Sequence, residues 1–139
     1  MKQEFFNLEI ETYGQNLYEF TDQINLWIKK NKFKEGIINL SILHTSASLI
    51  IQENADSDVK SDLLDYFDKL VPMNNKLYKH TAEGKDDMPA HIKSALTNNQ
   101  ISLSVKNGLL LLGTWQGLYL FEHRINSSKR NIICHFLGI

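Results

Sequence analysis

The sequence predicts an α+β domain built on a mainly antiparallel β-sheet or sandwich, with about three helices gathered against it. Three observations carry this reading: period-two strands at both ends of the chain, apolar stripes at helical spacing between them, and short turn signals that join neighbouring strands antiparallel. At 139 residues, 42% of them hydrophobic and only two of them proline, the chain is one domain, 1–139, with material for a real core.

Phe5 to Thr12 alternates apolar Phe6, Leu8 and Ile10 with polar Asn7, Glu9 and Glu11, the pattern of a strand with one wet face. Phe20, Ile24, Trp27 and Ile28 then recur at helical spacing behind Thr21, read as the N-cap, with basic residues from Lys29 to Lys34 at the negative end of the dipole and Gly36 as the stop. Ile37 to Gln52 is β-branched and strand-like, either one long strand or two, and is interrupted by His44-Thr45-Ser46-Ala47-Ser48. A second helix is expected from Asp56 or Ser57 to Lys69, because Val59, Leu63, Phe67 and Leu70 fall on one stripe before Pro72. Residues 73–88 lack a period and are long for a connection in a small domain, which marks a functional loop. Pro89 suits the first turn of a third helix, capped by Asp86 or Asp87 and ending near Leu96. Three strand-like pieces follow, Ile101 to Val105, Leu109 to Arg124 and Asn131 to Leu137, joined at Lys106-Asn107-Gly108 and Asn126-Ser127-Ser128.

Composition narrows the function. Fifteen Lys and Arg against sixteen Asp and Glu give a net charge of −1, which argues against wholesale binding of nucleic acid or an anionic membrane. The polar start at Met1-Lys2-Gln3-Glu4 and the absence of a long apolar run give a soluble, cytoplasmic expectation. A lone Cys134 excludes an intrachain disulfide or a thiolate zinc finger, and its place on a strand reads as an inert buried thiol. Neither GxxxxGK[ST] nor GxGxxG nor GxSxG occurs, so the common nucleotide loops and the serine-hydrolase elbow are absent.

Chemistry is concentrated where regular patterns break. His80 and His91 flank acidic Glu83-Gly84-Lys85-Asp86-Asp87, a loop-plus-helix arrangement able to converge on a divalent metal, or equally to be surface and capping groups. His123 ends a strand on the expected face of Trp115, Tyr119 and Phe121, with Glu122 and Arg124 pointing the other way. Gly113-Thr114-Trp115-Gln116-Gly117 places glycines where a strand would bulge or let a ligand approach its backbone. His44 with Thr45, Ser46 and Ser48 offers small donors for an oxyanion or simply lines a strand edge.

Taken together, His44-Thr45-Ser46-Ala47-Ser48 with Glu53-Asn54, the run from Tyr78 through His80, Glu83-Gly84, Asp86-Asp87-Met88-Pro89-Ala90-His91-Ile92-Lys93, then Gly108 with Gly113-Thr114-Trp115-Gln116-Gly117, and Glu122-His123-Arg124 resemble the YjbQ family. The resemblance spans nearly the whole chain from residue 37 onward. It implies a homotrimer of α+β subunits, with a site built from His80, His91 and His123 around a divalent metal, magnesium or zinc. Members of that family are labelled secondary thiamine-phosphate synthases, which join a pyrimidine diphosphate to a thiazole phosphate with loss of pyrophosphate. On this reading Asp86 completes the metal shell, while His44, Trp115, Gln116 and Arg124 form the catalytic set. Ser46, Asn54, Lys85 and Lys93 bind the phosphorylated substrate. A leaving pyrophosphate needs positive charge, and the pyrimidinyl-methyl cation left behind would be stabilised by an aromatic face such as that of Trp115. The alternatives are a metal-dependent phosphohydrolase and a non-catalytic trimer that captures a phosphorylated metabolite. His135 matches no motif of the family and stays outside the expected site.

Overall fold

Alternation at the N-terminus produces a long first strand, and the last twelve strand residues of the chain pair with it antiparallel along its whole length, from Lys2↔Gly138 to Tyr13↔Ser127. In the computed structural model, which describes residues 1–139, the elements in order are β1 (Lys2–Tyr13), β2 (Asn16–Glu19), α1 (Thr21–Lys30), β3 (Gly36–Ile42), β4 (Ala47–Glu53), α2 (Ser57–Leu70), α3 (Asp87–Leu96), β5 (Gln100–Lys106), β6 (Leu109–Leu110), β7 (Gln116–Glu122) and β8 (Ser127–Gly138). One sheet has the order β1-β8-β3-β5-β6 and the other β2-β7-β4, and every strand pair is antiparallel. No helix is long and apolar enough to cross a membrane.

The main core lies between the two sheets and α1. Leu8, Ile38, Leu40, Ile132, Cys134 and Phe136 from the first sheet meet Leu49, Leu118 and Leu120 from the second. Ile24, Trp27 and Ile28 seal it from α1, and Phe33 stacks on Phe136 at 3.8 Å between ring centres. Because successive β7 side chains alternate, its other face carries Tyr119, Phe121 and His123, and this face is covered by Leu63, Leu64 and Phe67 of α2. That double cover explains why β7 is buried almost throughout.

Several expectations change. Thr21 does not cap α1; Phe20 holds that position, and the Thr21 hydroxyl donates to Glu19 and accepts from the Leu118 amide, which ties α1 to β7 instead. Gly36 does not stop α1, which ends at Lys30 with Lys32 at positive φ; Gly36 opens β3. The predicted strand from Leu109 to Arg124 is two strands, β6 and β7, separated by residues 111–115. Trp115 therefore does not share the face of Tyr119 and His123, and it is 64% exposed. β2, and a short 3-10 turn at Asn75–Leu77 inside the predicted loop, fall outside the predicted elements. The interruption at 43–46 is real and divides β3 from β4. At Asn107-Gly108 both residues have positive φ, the geometry of a two-residue hairpin turn, and Asp56 caps α2 by accepting from the Asp58 amide.

Candidate functional site

The loop after α2 and the start of α3 bring His80, Asp87 and His91 together, one ligand atom of each lying within 4.8 Å of the others. Asp87 opens α3 and His91 follows one turn later, so both project from the same helical face. His80 Nε2 stands 2.7 Å and His91 Nε2 3.1 Å from the same carboxylate oxygen, Asp87 Oδ2. Asp87 is buried, whereas the side chains of His80 and His91 are 44% and 32% exposed. The cluster thus has a closed inner wall and an open outer side.

Arg124 holds the acidic half from behind. Its Nη1 donates to Asp87 Oδ1 at 2.6 Å, its Nε to Asp86 Oδ2 at 2.8 Å and its Nη2 to the Glu83 carbonyl at 2.9 Å. The Ile125 amide also donates to Asp86 Oδ2. Burial pushes both carboxyls up, but these hydrogen bonds and the charge of Arg124, with His80 and His91 added at Asp87, outweigh it and leave both below the usual carboxylate range.

The hydrogen bonding of the donor set decides whether it suits a metal. His91 Nδ1 lies 3.0 Å from the Thr45 carbonyl, and a carbonyl only accepts, so Nδ1 carries the hydrogen. A neutral His91 then aims the lone pair of Nε2 at a carboxylate oxygen. That contact is repulsive unless a cation, either a proton or a metal ion, lies between them. Two imidazole nitrogens and one carboxylate oxygen, with one side open, form the ligand set of a catalytic divalent-metal site. These residues fit such an ion.

His123 is not in this group. It is 1% exposed, its Nε2 hydrogen-bonds Ser48 Oγ at 2.8 Å, and its Nδ1 has no partner. Burial first, then the charges of Lys93 and Arg130, push it down to about 3, so it is neutral. Asp86, expected as a ligand, instead faces Arg124, and its neighbour Asp87 takes the place beside the histidines. Lys93 is buried and ion-paired to Asp68, and so is turned away from solvent. Lys85 is exposed on the loop before α3.

Asn54 and Gln116 lie elsewhere. The Asn54 amide donates to the Trp115 carbonyl and its side chain to that of Gln116, while Gln116 Oε1 accepts from the Gly113 amide at 2.7 Å. β4 and β7 pair from Ala47↔Glu122 to Glu53↔Gln116, which places this group at the end of the pair away from His123, about 20 Å along the strands. His44 and Ser46 lie on the loop between β3 and β4. His44 Nε2 accepts from the Asn131 amide at 2.9 Å, and burial with the Arg130 charge lowers its pKa.

Sequence reasoning missed Arg130. It is 6% exposed and forms a forked pair with the fully buried Glu122, Nε to Oε1 at 2.7 Å and Nη2 to Oε2 at 2.6 Å. The signal was present: Arg130 shares the period of Ile132, Cys134 and Phe136, which puts a cation on the core face of β8.

The family model described as "UPF0047 protein YjbQ-like" matches residues 6–139. The chain is 47% identical over 131 residues to the UPF0047 protein sll1880 of Synechocystis, covering 94% of this chain and 89% of that protein. It is 39% identical over 132 residues to the UPF0047 protein YjbQ of Escherichia coli O157:H7, covering 94% and 95%. Among solved structures, an uncharacterized conserved protein of the yjbq/upf0047 family from Clostridium acetobutylicum superposes with TM-score 0.86 at 28% identity, over 95% of this chain and 99% of that one. A conserved hypothetical protein, TT1486, from Thermus thermophilus gives 0.85 at 29%, over 95% and 99%.

Proposed function

The chain belongs to the YjbQ-like UPF0047 family, and from that premise we propose that it is a divalent-metal-assisted transferase of thiamine-phosphate synthase type, joining a pyrimidine diphosphate to a thiazole phosphate. The observation that carries the metal is the His91 ring, held through Nδ1 by the Thr45 carbonyl so that Nε2 meets the Asp87 carboxylate oxygen that His80 also faces, a contact that requires a cation between them. When bound, the metal supplies charge that stabilises the leaving pyrophosphate.

The chain's own residues divide the remaining work. Arg124 occupies Asp87 Oδ1 and so leaves Oδ2 facing the two histidines. Arg124, donating to Asp86, Asp87 and the Glu83 carbonyl, holds the site in shape, and exposed Lys85 on the same loop supplies a cation to attract phosphate. The attacking thiazole nitrogen carries no proton, so no general base is required. This suits a cluster whose histidines are tied to a carboxylate and a carbonyl.

Pyrophosphate release from the two substrates, with metal content measured on protein made without a metal-binding tag, tests the reading. His91→Ala is expected to lower metal affinity by on the order of 100-fold and to abolish metal-dependent release. Inorganic phosphate without a coupled product would make the protein a phosphohydrolase, and saturable binding with neither product would make it a binding trimer.

A further inference from the structure

We propose that Arg130 and Glu122 are positioning residues, which hold the two halves of the His80–Asp87–His91 cluster in register from beneath. This rests on the metal-site reading of that cluster.

Glu122 ends β7 on its core face, alternating with Leu118 and Leu120, and Arg130 begins the buried stripe of β8 that continues into Ile132, Cys134 and Phe136. Thr12, on β1, completes the contact by donating to Glu122 Oε1 at 2.6 Å. The pair therefore bridges the two sheets at one end of an otherwise apolar core. A buried ion pair is weak evidence for stability, because desolvating two charges consumes most of their attraction and well-packed apolar side chains often do as well. Its connections point to another use.

One branch runs through Ser46. Arg130 Nη2 donates to Ser46 Oγ at 2.9 Å and to the Ser46 carbonyl at 3.3 Å, which fixes the 43–46 loop whose Thr45 carbonyl accepts from His91 Nδ1. The other runs through Glu122. Its Oε2 accepts from the amides of His123 at 3.0 Å and Arg124 at 3.2 Å, setting the chain direction from which Arg124 reaches Asp87. Both branches end on the group of atoms that would hold the metal. The planar guanidinium serves both at once, since Nε and Nη2 grip the carboxylate as a fork while Nη2 also reaches the loop.

The test is Arg130→Lys, which keeps the charge and loses the fork. Zinc and magnesium affinities are measured by titration calorimetry, His91 Nδ1–H is followed by long-range nitrogen–proton NMR in the metal-free protein, and unfolding is measured separately. The expected result is a folded protein with metal affinity reduced ten- to a hundredfold and the His91 Nδ1–H signal lost to solvent exchange. Lower stability with affinity and the His91 signal both unchanged would overturn the proposal, because the pair would then act on the fold alone. If Arg130→Lys does not fold, Ser46→Ala carries the test: it leaves the ion pair whole and is expected to weaken both readouts in the same direction. Should the wild type bind neither metal, the metal reading fails by itself, and the His91 signal still decides whether Arg130 positions the ring.

Discussion

At the scale of single residues, burial decides what each histidine can do. His123 is enclosed with only Ser48 as a partner, and a group held neutral in the fold but free to protonate when unfolded couples stability to pH. Its folded pKa, about 3, lies below the ordinary value of about 6.5, so the unfolded chain binds the extra proton between those limits. The stability His123 contributes is complete above about 6.5 and is lost progressively as pH falls toward 3. Urea unfolding of the metal-free protein is expected to show a loss of about 2 kcal/mol between pH 7 and pH 5 from this one ring, and His123→Gln should flatten that slope. An equal slope in the variant would assign the proton elsewhere. The depressed pKa values of Asp86 and Asp87 act in a separate, more acidic window: their contribution is present above the ordinary carboxylate range and lost below it. Residue type and broken periodicity make His80, His91 and Arg124 legible in the sequence. The choice of Asp87 over Asp86 is not, because two adjacent carboxylates at a helix start differ by about 100° of rotation, which only the packed helix fixes.

Elements that bury a whole stripe are legible in the sequence; those defined by their neighbours are not. α1 follows from Ile24, Trp27 and Ile28, which all enter the core. β2 has four residues, too few for a period to register, and exists because Leu17 pairs with Phe121 of β7. Gly36 illustrates the difference. Its place after a basic run reads as a helix stop, yet it lies opposite Gly138 in the β3–β8 pair, and a Cβ on it would strike the Leu137 carbonyl and the Gly138 backbone. Backbone cannot yield as a flexible side chain does. Gly36→Ala is therefore expected to cost about 2 kcal/mol, seen as a lower urea midpoint with the site's metal affinity intact. A midpoint within experimental error of the wild type would mean that the strand ends spread without cost.

At the scale of the whole molecule, a mainly antiparallel α+β domain is legible from patterning, but its division into two sheets and the way the motifs are shared out are not. Four motifs that read as one site in sequence lie at two places in the chain: His80, His91 and Arg124 near the Ala47↔Glu122 end of β4 and β7, and Asn54, Trp115 and Gln116 at the Glu53↔Gln116 end. A rigid pair of strands cannot bring these ends together, and Trp115 faces outward without cover. The homotrimer that the family resemblance implies would resolve the separation if one chain's Trp115 end meets its neighbour's histidine end, since a closed ring repeats the same head-to-tail contact three times. Light scattering is then expected to give three times the 16.1 kDa chain mass. His91→Ala and Trp115→Ala subunits, each expected to be inactive alone, should regain about one quarter of wild-type pyrophosphate release when co-assembled in equal amounts, because one interface in four pairs an intact histidine end with an intact tryptophan end. Co-assembled subunits with no recovery would mean that His91 and Trp115 are needed within a single chain and not across an interface, a Trp115→Ala subunit active by itself would leave Trp115 outside the reaction, and a monomeric wild type would remove the trimer altogether.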